Sequence, residues 1–347
     1  MNPWTFLGIE LPIIQAPMAG SNDSTLVIAV ANAGGLGSLP CATLSADQIR
    51  AEVKLIRAGT KKPFNLNFFA HKEPRLDTVK ELSWKKTLEP YYKELGIDLA
   101  SAGEGVLRRS FDEEMCALVE ELKPPIVSFH FGLPSQELIK RVKATGALIL
   151  SSATTVTEAC WLEAHGCDAI IAQGYEAGGH RGIFLSEDLN TQVGTMALVP
   201  QIVDAVKVPV IASGGISDQR GVKASFALGA SAVQVGTAYL FCPEAKVNAV
   251  HRQALKNAKD SDTALTNLFS GRAARGISNR LMKDLGTISA AAPDFPRAGF
   301  ALAPLRAKTE PQGAGDFMPL WSGQAMTLAQ EIPAAELTKK LAQGRPS

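Results

Sequence analysis

The sequence predicts an α/β protein, a (β/α)8 or TIM barrel carrying a small inserted, mainly helical domain. Three observations lead there. Short apolar runs, many rich in β-branched residues, recur along the chain, and most are followed by a stretch of helical periodicity. Glycine turns close several of those runs, as in Gln173-Gly174 and Ser213-Gly214-Gly215. The 347 residues exceed a plain barrel of roughly 250 by about a hundred, which leaves room for insertions.

The runs come in order. Leu11–Gly20 reads as a first strand running into a tight turn, and a helix follows from Ser24, its expected N-cap, to Ala33. Leu36–Pro40 is a second strand, and Ser45 opens an amphipathic helix that Gly59 closes. Pro63–Phe69 is a third strand, in which Asn65 and Asn67 share one face, either inward or outward. Ile126–Gly132, Ala147–Ser152, Ala169–Gln173, Pro209–Ile216 and Ala232–Thr237 are the remaining strands. Helices are expected over 112–122, 135–145, 156–165, 195–206 and 218–228, with a last one beginning near Pro243. The barrel then takes residues 1–70, 106–241 and 312–347. Residues 71–105 and 242–311 are left as helical insertions forming a lid or substrate domain over the barrel mouth.

Composition narrows the partners. Formal net charge is +1 with no basic block, so neither nucleic acid nor a membrane surface is expected. The N-terminus lacks a basic region followed by an apolar core, and no run reaches the length of a membrane span. The five cysteines include no CxxC pair and are odd in number, which predicts reduced thiols in a cytoplasmic protein. Cys160 and Cys167 are expected on one helix as core residues.

Chemistry concentrates in Ile170–Gly182. An apolar run breaks into Gln173-Gly174-Tyr175-Glu176-Ala177-Gly178-Gly179-His180-Arg181-Gly182, placing one imidazole among glycines at a strand's C-terminal end. A tight turn with a surface histidine is the plainer alternative. In barrels phosphates settle at the loops after the seventh and eighth strands, here Gly214-Gly215 and Gln234–Thr237. A phosphorylated cofactor across the mouth, beside His180, is the expectation. His130, at the end of its strand, is either a second active-site group or a packed histidine. The histidines are scattered and no HExxH spacing occurs, so no metal is expected. A hydrolase nucleophile elbow is absent.

Three stretches, Pro12–Gly20, Ala172–Gly182 and Gly229–Thr237, together with Ser128–Gly132 and Trp321–Gln324, resemble bacterial class I nitronate monooxygenases, formerly called 2-nitropropane dioxygenases. The resemblance runs over nearly the whole chain. It implies an FMN-dependent barrel, without metal, that oxidises alkyl nitronates such as propionate 3-nitronate with molecular oxygen. The products are a carbonyl compound and nitrite, a detoxification activity. The family's active-site histidine falls on His180. Its FMN contacts fall on Ala16, Met18, Asn67, Gln173, Gly178, Gly179, Gly214, Gly215, the segment Gln234, Val235, Gly236 and Thr237, and the late segment Trp321, Ser322, Gly323 and Gln324. His130 and Arg181 are the expected substrate contacts. Related members carry tyrosines where this chain has Phe295 and Phe300. An NAD(P)H-dependent flavin enoyl-acyl-carrier-protein reductase is the alternative, and Gln173, where those enzymes tend to carry glutamate, favours the nitronate reading. A flavin-binding sensor module is a non-enzymatic third. Substrate and O2 are the expected small-molecule partners, in a monomer or homodimer.

Overall fold

The computed structural model describes residues 2–74, 76–103 and 108–346. Its strands are Ile13–Gln15 (β1), Gly37–Pro40 (β2), Phe64–Phe69 (β3), Ile126–His130 (β4), Leu148–Ala153 (β5), Ala169–Gln173 (β6), Gly179–His180 (β7), Val210–Ser213 (β8), Ala232–Val235 (β9), Thr263–Thr266 (β10) and Ala274–Ile277 (β11). All but β7, β10 and β11 pair in parallel in the order β1-β9-β8-β6-β5-β4-β3-β2. A bridge between Ile14 and Leu36 brings the two ends together, so the sheet is a nearly closed barrel. Most of these strands are buried along their whole length, as parallel strands covered on both faces must be.

The helices in this part of the chain are Ser24–Asn32 (α1), Ala46–Gly59 (α2), Thr78–Glu94 (α3), Glu113–Leu122 (α4), Gln136–Ala144 (α5), Val156–Ala164 (α6), Thr195–Ala205 (α7) and Gln219–Ala227 (α8), and all but α3 bury a face in the barrel's main core. Ser45 and Gln48 form a reciprocal capping box at α2, and Asp218 caps α8. At α1 the cap is Asp23, whose carboxylate accepts from Thr25 N–H; Ser24, expected there, is the first helical residue.

The closing helix differs from expectation. After Thr237–Leu240 (α9), the chain near Pro243 does not begin the barrel's last helix. Ala249–Asn257 (α10), Arg280–Leu285 (α11) and Ala303–Thr309 (α12) come first. Ala334–Leu341 (α13) then packs against α1 and α8 and completes the ring. An apolar run of helical period cannot reveal which gap it fills; its buried Leu337 and Leu341 find theirs only on folding.

Residues 71–103 and 242–311 share an apolar cluster that includes Trp84, Leu88, Tyr92, Leu268, Leu302 and Leu305. Trp84 Nε1 donates to Ala298 O at 2.9 Å and Tyr92 OH to Ala301 O at 2.6 Å. The boundary expected at 105 falls among residues 104–107 and lies outside the described residues. The second stretch, expected to be mainly helical, carries two strands beside its helices. β10 and β11 pair antiparallel, and β11 pairs in turn with β7, giving a three-stranded sheet beside the barrel. Thr263, Thr266 and Ile277 are β-branched, and Gly271 turns between the strands at φ +87°. Cys167 lies beyond α6 at the start of β6 and is buried, whereas Cys160 is exposed, so the two do not form one core pair. All five thiols are free.

Candidate active site

The strand ends converge on a cavity at the C-terminal mouth. It is bounded by the turn after β1, Asn67 and Phe69 of β3, the loop after β6, the Gly214-Gly215 turn, Gln234 to Thr237 and Trp321 to Gly323. Asn65 and Asn67 both point inward. Asn65 Nδ2 donates to Ser38 Oγ (3.1 Å) and Ser128 Oγ (2.8 Å) beneath the cavity, and Asn67 Nδ2 donates to Ser128 Oγ at 2.9 Å in its wall.

The loop after β6 is braced through Gln173, Glu176 and Arg181. Gln173 Nε2 donates to His180 O (3.0 Å), while its Oε1 accepts from Gly182 N–H (2.7 Å), closing the loop on itself. Glu176 accepts from Thr195 N–H and Oγ1, tying the loop to the start of α7. Buried Glu158 accepts from Phe184 N–H at 2.6 Å and fixes the exit. β7 is held in register by Ala274 opposite His180 and Arg275 opposite Gly179.

Arg181, expected as a substrate contact, does not line the cavity. Its side chain is fully buried and faces away from the cavity, donating to Gln173 O (2.8 Å), Gly174 O (2.6 Å) and Gln192 Oε1 (2.8 Å). In an extended segment successive side chains point to opposite faces, so with His180 facing the cavity its neighbour cannot. His130 does line the cavity, but both its nitrogens are spent on protein. Nε2 lies 3.1 Å from His180 O, a pure acceptor, so Nε2 carries the proton, and Nδ1 accepts from Ser152 Oγ at 3.1 Å. It supports the loop and has no ring nitrogen free for a substrate.

His180 is placed differently. Its Nε2 lies 2.8 Å from Ser270 Oγ, and its Nδ1 has no hydrogen-bond partner among the described residues. Phe295, Trp321, Phe131 and Phe69 surround the ring at centroid distances of 5.3, 5.4, 5.9 and 6.3 Å. Burial, with the Arg108 and Arg272 cations nearby, holds its pKa well below the usual histidine value, so the ring is neutral at neutral pH.

Of the expected cofactor contacts, Ala16, Met18, Asn67, Gln173, Gly178, Gly179, Gly214, Gly215, Gln234, Gly236, Thr237, Trp321, Ser322 and Gly323 line the cavity. Two do not. Val235 turns its side chain into the core, and Gln324 enters the loop scaffold through its backbone N–H, which donates to Glu176 O at 3.0 Å. Gln234 is nine-tenths buried, faces the cavity, and has no side-chain hydrogen bond among the described residues.

Sequence reasoning missed Arg108. It lines the cavity, lies over the Phe295 ring at 5.8 Å, and pairs with no carboxylate among the described residues. It sits in no motif, and only folding brings it to the mouth, beside Phe295 of the second insertion. Ser270 was missed too; it lies in Asn267–Gly276, a basic, glycine-punctuated stretch of the second insertion. Among the described residues no group of three or more His, Cys, Asp or Glu is disposed to hold a metal, and no helix is long and apolar enough to cross a membrane.

A barrel whose strand ends enclose a braced loop with a neutral histidine defines a small-molecule enzyme of the TIM-barrel class. The family model described as nitronate monooxygenase matches residues 2–344. Nitronate monooxygenase of Pseudomonas aeruginosa is 42% identical over 337 residues, covering 96% of this chain and 96% of the relative. That of Paraburkholderia phytofirmans is 42% identical over 339 residues, covering 96% and 92%. Among solved structures, nitroalkane oxidase from Streptomyces ansochromogenes superimposes with a TM-score of 0.89 at 37% identity, over 99% of this chain and 97% of that one. FabK from Thermotoga maritima is more distant, with a TM-score of 0.72 at 26% identity over 99% and 96%. The chain belongs to the nitronate monooxygenase family and is an oxidoreductase. Membership implies a flavin cofactor.

Proposed function

We propose that the protein binds FMN and oxidises alkyl nitronates, propionate 3-nitronate among them, with O2 to a carbonyl compound and nitrite, as a cytoplasmic detoxification enzyme. The observation that carries the reading is the pairing of an uncompensated cation, Arg108, with a neutral histidine, His180, in one cavity wall. A nitronate is an anion, and a partly buried cation without a carboxylate attracts it more strongly than a cation in water would.

The residues present fit a flavin with one phosphate. Gln234 offers an unpaired amide. A Cβ built on Gly236 would meet only the Ala16 Cβ at 3.5 Å and Met18 Sδ at 3.9 Å, so its backbone is open to close approach from the cavity. Gly214, at φ +111°, and Gly215 line the same cavity. In this reading these residues, with Asn67, Gln173 and the 321–323 segment, hold FMN, and the stretches 71–105 and 242–311 form the cap. Bound there, the flavin supplies electron transfer from substrate and onward to O2.

The chain's own work is binding and proton handling. Arg108 draws the anion in, and the aromatic wall of Phe69, Phe131, Phe295 and Trp321 keeps water out. Phe295 has no hydroxyl to offer substrate, so polarity at that wall comes from Arg108 and His180. For a neutral nitroalkane, His180 Nδ1 takes the α-proton.

Anaerobic mixing with nitronates and, separately, with NAD(P)H tests the reading. Rapid bleaching of the flavin by nitronate, and slow or no bleaching by NAD(P)H, is expected. Fast reduction by NAD(P)H with reoxidation by an enoyl thioester would replace it with the enoyl reductase reading.

A further inference from the structure

We infer that Ser270 is a positioning residue that fixes the tautomer of His180 and so makes Nδ1 the working nitrogen. The inference rests on the proposed proton abstraction for its consequence, but not for its geometry.

Ser270 Oγ makes three contacts. His180 Nε2 lies 2.8 Å away, Arg272 O lies 3.2 Å away, and Arg272 N–H points at it from 3.4 Å. A hydroxyl has one hydrogen and two lone pairs. Arg272 O can only accept, and Arg272 N–H can only donate. All three contacts are satisfied in one arrangement alone. The hydroxyl donates to Arg272 O, and its lone pairs take Arg272 N–H and a proton carried by His180 Nε2. The ring is then the Nε2–H tautomer, with a lone pair on Nδ1.

Other contacts hold the ring to that arrangement. The His180 carbonyl accepts from Gln173 Nε2 and His130 Nε2, and Arg181 N–H donates to Ala273 O at 2.9 Å. These bonds and the pairing of His180 with Ala274 fix the backbone of the histidine against the hairpin whose turn carries Ser270. Ser270 itself is 1% exposed and does not line the cavity, so it touches no substrate. Ring and hydroxyl come from segments ninety residues apart, one from the barrel loop and one from the insertion. The insertion therefore does more than cover the mouth: it sets the protonation pattern of the histidine inside it.

The consequence is a defined proton transfer. The α C–H bond of a nitroalkane breaks and an N–H bond forms at Nδ1. The electron pair moves into the nitro group to give the nitronate, and the imidazolium holds hydrogens on both nitrogens, with Nε2–H still bonded to Ser270. Without the Ser270 acceptor, the ring populates the Nδ1–H tautomer too, and in that form the cavity faces a donor instead of a base.

Two-bond 1H–15N correlation spectra of the 15N-histidine-labelled holoenzyme at neutral pH read the tautomer directly. The His180 signals are those missing from His180→Asn. We expect a protonated-type Nε2 and an unprotonated-type Nδ1. In Ser270→Ala the two shifts should move together towards a tautomeric average at unchanged flavin content. Turnover of neutral nitroalkane should fall roughly 10- to 100-fold, the range seen when a histidine's hydrogen-bonded support is removed elsewhere, while turnover of pre-formed nitronate falls much less. An Nδ1–H pattern in the unmodified enzyme overturns the inference, as does an unshifted His180 spectrum in Ser270→Ala. If Ser270→Ala does not fold, the wild-type spectrum still decides. The spectra stand even if nitronates prove not to be substrates, so failure of the functional reading and failure of this inference are separately visible.

Discussion

Gly178 lies against the peptide joining Ser322 to Gly323. A Cβ built on it would stand 2.5 Å from the Ser322 carbonyl carbon and 3.0 Å from its Cα. The glycine at 178 therefore answers a packing demand within the protein. It lets the loop after β6 close on the late segment, where Gly323 N–H donates to Thr237 Oγ1 at 2.9 Å. Gly178→Ala is expected to destabilise the fold by roughly 2–3 kcal/mol, because the obstacle is backbone that cannot rotate aside. Chemical denaturation of the two proteins measures it; a change under about 0.5 kcal/mol would show that the segments separate freely.

Gly236 makes the opposite test. Its missing Cβ would meet no protein atom closer than 3.5 Å, and φ there is −109°, so the fold does not require glycine. Gly236→Asp is expected to keep the wild-type circular dichroism and to lose most of its bound flavin, since a carboxylate beside a phosphate repels it. Gly214→Asp is a poorer probe, because at φ +111° any side chain is strained whether or not a ligand binds. Flavin content by absorbance and released-chromophore mass spectrometry decides, and FAD instead of FMN would redraw the site.

Stability should depend on pH through buried histidines. Burial lowers His71, His130 and His251 from an ordinary value of 6.5 to about 4. Between those values the unfolded chain binds more protons than the native one, so stability rises with pH across that window. It is full above about pH 6.5 and is lost progressively as pH falls towards 4. Urea midpoints measured from pH 4 to 8 should show that slope and flatten above neutrality; a midpoint flat from 6.5 down to 4 contradicts it.

The barrel was legible because its signal is local. β-Branched runs, glycine turns and caps such as Ser45 with Gln48 or Asp218 are written within a few consecutive residues. The cavity wall followed from strand ends for the same reason. What was not legible depends on pairing between distant segments. Nothing in Asn267–Gly276 announces that it will turn beside β7 and present Ser270 to His180. Arg181 misled because adjacency in sequence resembles proximity in space, whereas an extended backbone sends neighbours to opposite sides. His130 sat where expected, yet only its bonds to Ser152 and His180 reveal that it has nothing left to give.

Arg108 offers a test of the electrostatic half of the mechanism. Arg108→Met preserves most of the length that packs on Phe295 and removes the charge. The expected result is a roughly tenfold rise in KM for anionic nitronates, a smaller effect on kcat, and little change for neutral nitroalkanes. High salt should weaken nitronate capture less than it would for a surface cation, because the side chain is largely buried. Equal losses on charged and neutral substrates would leave Arg108 as a packing partner of Phe295 only.

His180→Asn separates base from binder. Asparagine cannot take a proton from carbon, but its amide can donate a hydrogen bond to a nitronate oxygen. Turnover of a neutral nitroalkane should therefore fall by about 100-fold or more, the usual contribution of a positioned base. Pre-formed nitronate arrives deprotonated and loses only positioning, so its turnover should fall by about tenfold or less. Flavin content should hold, because the loop backbone is fixed by Gln173, Glu176 and Arg181 and not by the imidazole. Steady-state kinetics on both substrate forms, with flavin measured in parallel, gives the answer. Equal losses on the two forms at full flavin occupancy would refute the base role and leave His180 as a binding group. Equal losses together with lost flavin would mean that the ring shapes the loop, and the contacts with Phe295 and Trp321 would then be its main work.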